Sequence, residues 1–320
     1  MNFHELNKVE NASFYLDIAF RNSKKAGEHY FPKTTGDQFE RAKKTELEKI
    51  KAFHTDINER LNKIIKNFPN IDALPEFYNE LIRTTLEYEN LKKSLGAINW
   101  AQNSITEFSH LYEKKVRRTR DIEFLRKAMK EFYGRVSSIV KQINKNLSYL
   151  EECRRTMKTY PAIKTDLFTV AITGFPNIGK STLLSRITPA KPEIQNYAFT
   201  TKGINLGYTQ FGIRKLQFID TPGVLNRNKM NSIEQQAHLV LKYLANVIVY
   251  VIDLTEPYSL KEQEKLLKSL KDYDRPIIIY LSKSDIIEIK VMSAAKKKYK
   301  AVTTLDDLKK RLDKSIKEFY

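Results

Sequence analysis

Cysteine is nearly missing from this 320-residue chain, in which Cys153 stands alone. That excludes an internal disulfide and any cysteine-based metal cluster, and it suits a reducing compartment. Cys153 itself reads as a packed residue on a helix. Long apolar runs are lacking too. Stretches such as residues 247–252 fall far short of the roughly 20 needed to cross a bilayer, and the opening MNFHELNKVE has no signal-peptide layout. A cytoplasmic protein with no membrane partner is expected. Acidic residues are in deficit, 38 Asp and Glu against 56 Lys and Arg, which leaves a net charge of +18. Both halves of the chain are basic. The imbalance points away from a small neutral substrate and towards a polyanion, with RNA the first choice. Hydrophobic residues at 41% and charged residues at 29% are ordinary for a folded chain, and the length suggests two domains.

Residues 1–162 read as an all-α bundle. Between 37 and 68 the apolar residues Phe39, Ala42, Leu47, Ile50, Phe53, Ile57, Leu61, Ile64 and Phe68 recur mostly at three or four positions, which predicts one long amphipathic helix. Pro69 stops it. Pro75 opens a shorter helical piece to about residue 95, where Gly96 punctuates the pattern. Another helix runs from about 97 into Lys114-Lys115-Val116-Arg117-Arg118, and a fourth carries Leu125, Met129, Phe132, Val136, Ile139, Ile143, Leu147 and Leu150 towards Tyr160. Such faces need one another for burial, so an antiparallel bundle is expected. Residues 1–36 look helical only in patches and read as an arm. The aromatics Phe53, Phe68, Trp100, Phe108 and Phe132 sit at helical spacing and are expected in the core. The basic run Lys114 to Arg120 fits contact with RNA phosphates and a solvated helix end equally well.

Pro161 marks a change of texture. Six of the ten glycines fall between Gly174 and Gly223, and β-branched runs alternate with helical stretches, which predicts a mostly parallel sheet wrapped by helices over residues 163–320. Strands are expected at 167–173, 202–209, 215–219, 247–253 and 277–281, and helices at 180–187, 232–244 and 259–271.

The most informative stretch is LFTVAITGFPNIGKST, residues 167–182. It matches G-x-x-x-x-G-K-[ST] between a predicted strand and a predicted helix, the arrangement of a phosphate-binding loop. Gly174 and Gly179 let the loop Phe175-Pro176-Asn177-Ile178 turn its backbone N–H groups inward as an anion nest, and the helix after it adds its positive end. Lys180 can reach the terminal phosphates, and Ser181, with Thr182 next to it, offers a hydroxyl to magnesium. Downstream, LQFIDTPG ends a strand in Asp220, placed to hold magnesium through water, and Gly223 supplies an N–H to the γ-phosphate. Between them Thr201, with Thr200 its close rival, can complete the metal shell. Ser282-Lys283-Ser284-Asp285 lies close to the [NT]-K-x-D pattern: the Asp285 carboxylate accepts from the guanine ring N–H and amine, and the Lys283 stem can lie over the base. Ser282 departs from the usual asparagine. A last loop touching the guanine carbonyl is placed at Thr303-Thr304 rather than Ser293-Ala294, because the latter comes too soon after Asp285 for a parallel crossover. Residues 291–300 then form a short basic helix, 301–303 the last strand, and 306–319 the closing helix.

These residues resemble the translation-factor-like GTPases, and more narrowly the nucleolar GTP-binding protein (NOG) family of large-subunit assembly factors, an Obg-related group. GFPNIGKS, QNYAFTTK, DTPGVL and NSIEQQA are similar to that family's motifs in order and spacing, as are KIIKNFPNIDALPEFYNEL, LGAINWAQN and LSYLEECR, so the resemblance covers roughly residues 30–285. It implies a helical domain joined to a P-loop G domain and action on pre-ribosomes, with the large ribosomal subunit or its precursor and rRNA as partners and a monomer off the ribosome. The chain stops soon after the G domain, like the short archaeal form. Cofactors would be GTP or GDP and Mg2+. Val224 stands where Ras-like enzymes carry a water-orienting glutamine, which implies slow intrinsic hydrolysis. In related GTPases with this substitution an asparagine in the phosphate loop can help hold K+, and Asn177 matches it, so the catalytic set would be Lys180, Thr201, Gly223 and Asn177. Two other classes fit the residues: a basic RNA-binding scaffold that holds nucleotide with little turnover, and a P-loop ATPase.

Overall fold

Caps and buried stripes set the helices of the first half. The computed structural model describes residues 3–189, 193–195, 204–221, 232–255 and 257–319. Helix α1 (Ala12–Tyr30) starts where the Asn11 side chain accepts the Phe14 N–H. Helix α2 (Gln38–Asn67) starts the same way at Asp37 and buries Ile50, Phe53, Ile57 and Leu61 completely. Next come α3 (Glu76–Thr85), α4 (Tyr88–Arg118), α5 (Ile122–Gln142) and α6 (Asn144–Met157). The pairing of α2 with α4 is antiparallel, as the contacts of Asn58 with Thr106 and of Lys43 with the Thr119 carbonyl require.

Several expectations need correction. Residues 1–36 hold a 19-residue helix instead of an arm. Its buried stripe, Ala12, Tyr15, Leu16, Ala19, Ser23 and Gly27, keeps helical spacing, but most of its members are small, so the large apolar residues alone mark it only in patches. Close approach replaces bulk: Ser23 Oγ donates to the Lys49 carbonyl at 2.8 Å. Gly96 does not end a helix, since it lies within α4, and the break falls at Leu86–Glu87. The fourth expected helix is two, interrupted at Ile143 (φ −84°, ψ 4°). Trp100 is 47% exposed. It lies two positions, or about 200° of helix, from Ile98, which faces inward.

The chain packs as two units. One comprises His4–Ile71 with Ile82–Lys158; the other contains Phe3, Asp72–Leu81 and everything from Thr159 onward. In the second unit the Tyr78 hydroxyl lies 2.9 Å from the Pro161 carbonyl and accepts the Ile163 N–H at 2.9 Å, which fastens Asp72–Leu81 to its own unit.

The second unit is a sheet flanked by helices. Its elements are β1 (Phe168–Thr173), α7 (Lys180–Ile187), β2 (Glu193–Gln195), β3 (Ile204–Phe211), β4 (Arg214–Asp220), α8 (Ser232–Tyr243), β5 (Val247–Asp253), α9 (Leu260–Leu270), β6 (Ile277–Ser282), α10 (Ile289–Tyr299) and α11 (Leu305–Phe319). Strand order is β2-β3-β4-β1-β5-β6. The β4-β1-β5-β6 part is parallel, and β2 and β3 add antiparallel pairings at one edge. Short β2 is an addition to the expected strands. The strand expected at 301–303 reduces to one bridge, Val302 beside Tyr280. β1 and β5 are buried along their whole length, as strands covered on both faces must be. Among the described residues no helix is long and apolar enough to cross a membrane.

Glu151 on α6 ties the N-terminal segment to the bundle. It accepts from Arg154 at 2.7 Å, Arg155 at 2.9 Å and the Val9 N–H at 3.0 Å. The Arg154 hydrogen bond, against the opposing effect of burial, brings its pKa down to about 2. A carboxyl depressed in the folded state adds stability above its unfolded pKa and loses it as the pH falls through the folded value. Stability should therefore drop as the pH falls from about 4.5 towards 2, and Glu151→Gln should flatten that arm of a urea-denaturation series measured against pH.

Candidate nucleotide site

Parallel strands deliver their C-terminal ends to one rim of the sheet, and the site is built from the ends of β1, β4, β5 and β6 and the segments just beyond them. After β1 the chain turns at Gly174 (φ +146°), passes Asn177 (φ +60°) and enters α7 through Gly179 (φ +94°). Side chains are excluded at Gly174: a Cβ would stand 2.5 Å from Ile178 Cδ1 and 2.8 Å from the Val251 carbonyl oxygen of β5. Phe175 and Ile178 turn their side chains inward, 4% and 0% exposed, and the Phe175 ring packs on Tyr258 at 4.6 Å. These two residues anchor the loop and leave only backbone for a phosphate. Pro176 is half-buried and Asn177 exposed. Lys180 is 7% exposed, and its Nζ donates to the Phe175 carbonyl at 2.8 Å, so the ammonium lies back across the loop.

At the end of β4, Asp220 meets the loop. Ser181 Oγ donates to Asp220 Oδ2 at 2.5 Å, and Asn205 Nδ2 of β3 donates to the same oxygen at 3.0 Å. Asp220 is 6% exposed, and its Oδ1 has no hydrogen-bond partner among the described residues. A buried carboxylate oxygen left without a donor is costly, and a hard cation is the partner its chemistry suits. Asp220 and Ser181 thus fit a magnesium ion on this geometry. Thr221 fixes the strand end, its N–H and hydroxyl both donating to the Ile172 carbonyl.

Across the rim lies the β6 end. Ser282 Oγ donates to the Ile252 carbonyl at 3.2 Å, tying β6 to β5. Lys283 adopts φ +51° and places its Nζ 2.6 Å from Asp253 Oδ2 and 3.3 Å from Thr255 Oγ1. Burial pushes the Asp253 carboxyl up, but hydrogen bonds from Lys283 and Thr255 outweigh it and the net shift is downward. The ammonium is therefore anchored, and the aliphatic stem is left to lie beside a ligand. A cleft of about 530 Å³ runs between the two ends, lined by Asn177, Gly179, Lys180, Ser181, Thr182 and Arg186 on one side and by Tyr280, Ser282, Lys283 and Asp285 on the other.

Of the expected site residues, Asn177, Gly179, Lys180, Ser181, Thr182, Ser282, Lys283 and Asp285 line this cleft, and Asp220 joins it through Ser181. Thr303 and Thr304 do not line it: they come after the Val302 bridge, and the Thr304 hydroxyl accepts the Asp307 N–H at 3.2 Å to start α11. Ser293 and Ala294 lie within α10. Thr201 and Gly223, with Thr200 and Val224, lie outside the described residues. Asp253, Thr255, Asn205 and Arg186 join the site without having been marked by any motif. Only Asp253 carries a signal in the sequence, an acidic residue closing the apolar run VIVYVID.

A phosphate loop, a strand-end aspartate beside its serine, and a lysine and aspartate at the far end together define a P-loop GTPase domain, here preceded by helices. Residues 3–164 match the NOG1 N-terminal helical domain and residues 169–283 the 50S ribosome-binding GTPase family. The chain belongs to the nucleolar GTP-binding protein 1 (NOG1) family, and its nucleotide is GTP. It is 40% identical over 253 residues to an uncharacterized protein of Methanocaldococcus jannaschii, covering 78% of this chain and 71% of that one. With nucleolar GTP-binding protein 1 of Drosophila melanogaster it shares 32% identity over 292 residues, 89% of this chain but 44% of the fly protein. The chain thus spans less than half the length of that relative. A solved nucleolar GTP-binding protein 1 structure from Plasmodium falciparum is 28% identical, covering 43% of this chain and 73% of that one at a TM-score of 0.35.

Gly174→Ala should cost more than about 1 kcal/mol of stability, because the backbone is left-handed and the space is filled, and it should weaken binding of a fluorescent GDP analogue in a titration.

Proposed function

We propose that this protein is a magnesium-dependent GTPase, slow on its own, whose nucleotide state sets its hold on the RNA of the large ribosomal subunit or its precursor. The observation that carries this reading is the Ser181–Asp220 pair, with Asp220 Oδ1 buried and unpartnered among the described residues beside the phosphate loop. When bound there, magnesium would neutralise charge on the β- and γ-phosphates. Lys180 would swing from the Phe175 carbonyl to the same phosphates, and the loop amides around Gly174 to Gly179 would cradle them. Asp285 would accept from the guanine N–H donors while the Lys283 stem covers the base, its ammonium held by Asp253. Thr201 and Gly223 are assigned to the γ-phosphate from the sequence. Water attacking in line would cut the γ-phosphate free and release the segments that carry those two residues, which is how such a switch loosens its partner.

Net charge of +18 supports an RNA partner, and the names of the matched family and of the fly relative support a ribosomal, nucleolar one. Work in the cytoplasm as a monomer off the ribosome is part of the same reading. Val224, where a glutamine would orient water, favours one rival: a scaffold that holds GTP without useful turnover. Single-turnover hydrolysis on isolated large subunits separates the two.

Lys180→Ala should abolish binding of a fluorescent GDP analogue, and tight binding by that variant would overturn the site assignment. Sedimentation with large-subunit particles in GTP, GDP and no nucleotide should show association that depends on the nucleotide. No association in any state would remove the ribosomal part and leave a GTPase. Asn177 lines the cleft, and its assigned role predicts faster turnover in potassium than in sodium; equal rates would sink that role.

A further inference from the structure

The turn between α4 and α5 gathers cations that the bundle does not use. Arg117, Arg118 and Arg120 are exposed and make no ion pair or hydrogen bond among the described residues. Beside them Ile122 and Phe124, 38% and 50% exposed, stand out from the start of α5. A groove of about 580 Å³ lies there, lined by Lys115, Arg118, Thr119, Arg120, Asp121 and Phe124. Thr119 is 5% exposed, and its hydroxyl has no partner among the described residues. The adjoining start of α2 extends the same character: Lys43 Nζ donates to the Thr119 carbonyl at 3.2 Å, and the Arg41 guanidinium lies 4.5 Å above the ring of Phe31, itself 42% exposed. Acidic neighbours are largely occupied. Asp121 caps the Phe124 N–H, and Glu131 takes Lys115 and the Tyr112 hydroxyl. Glu123 remains.

We propose that this end of the helical unit docks a single-stranded or looped segment of RNA, with Phe124 stacking on a base and Arg117, Arg118 and Arg120 holding the adjoining phosphates. The inference rests on the reading of the protein as an RNA-binding GTPase and names the surface. Guanidinium groups match phosphate oxygens in pairs, and a half-exposed ring between them offers the π-face that an unstacked base needs. An anionic bilayer is a poorer match. It would require a continuous apolar helix face, and the apolar face of α5 (Leu125, Ala128, Met129, Phe132) is already buried.

The test is filter binding of the full chain to protein-free large-subunit RNA across a salt series. Arg117→Ala/Arg118→Ala/Arg120→Ala should weaken binding and lower the slope of log affinity against log salt by roughly 2. Phe124→Ala should weaken it about tenfold with the slope unchanged, and Phe124→Tyr should restore it. A charge-matched control, Lys261→Ala/Lys265→Ala/Lys268→Ala on α9, should have little effect, and GDP affinity should stay at the wild-type value throughout. Independently, RNA carrying 4-thiouridine should crosslink to the peptide containing Phe124. Failure of the wild-type chain to bind RNA would remove the RNA reading and this inference together. Wild-type binding with undiminished affinity in both tip variants, an equal loss in the α9 control, or adducts confined to other peptides would overturn this inference alone.

Discussion

The parallel pairing of β1 with β4 on one side and β5 on the other is the constraint that creates the site. Because all three run the same way, Gly174, Thr221 and Leu254 leave the sheet at one rim. The loop after β1 then has β5's Val251 carbonyl beneath Gly174 and β4's Asp220 beside Ser181. No single loop makes the cleft. A register shift of one residue in either pairing would turn Asp220 or Asp253 to the opposite face, and the two ends of the cleft would lose these carboxylates.

Local chemistry is the legible part. A glycine-bounded loop between a strand and a helix is specified within a dozen residues, so the boundaries of α7 and the roles expected of Lys180 and Ser181 can be read from spacing. Asp220 and Asp285 are legible because each lies at or just past the end of an apolar strand run. The hidden part depends on partners distant in the chain. Asn205 reaches Asp220 across an antiparallel pair, and Asp253 gains its meaning only when Lys283 folds over it. Thr304 likewise has a local task that spacing does not announce, its hydroxyl accepting the Asp307 N–H at the start of α11.

The helical unit repeats this lesson. Long apolar repeats make α2 readable, while α1 packs partly through Ala19, Ser23 and Gly27, whose small side chains give its stripe little bulk to read. Aromatic spacing misleads at Trp100, because a helix four turns or longer has room for a large ring on its outer side. Spacing alone does not distinguish a ring that fills a core from one that faces outward; only the packing of its neighbours does.

Asp220 has a thermodynamic side. One of its oxygens is bound by Ser181 and Asn205, and the other is buried with no donor among the described residues. A site that carries such an uncompensated charge is less stable empty than filled, and a ligand that binds only the folded form adds stability by mass action. Folding of this unit and its occupancy are then one coupled equilibrium. On the proposed reading, its melting temperature would rise with the concentration of the nucleotide that fills the site, and nucleotide depletion would thin the population of folded protein.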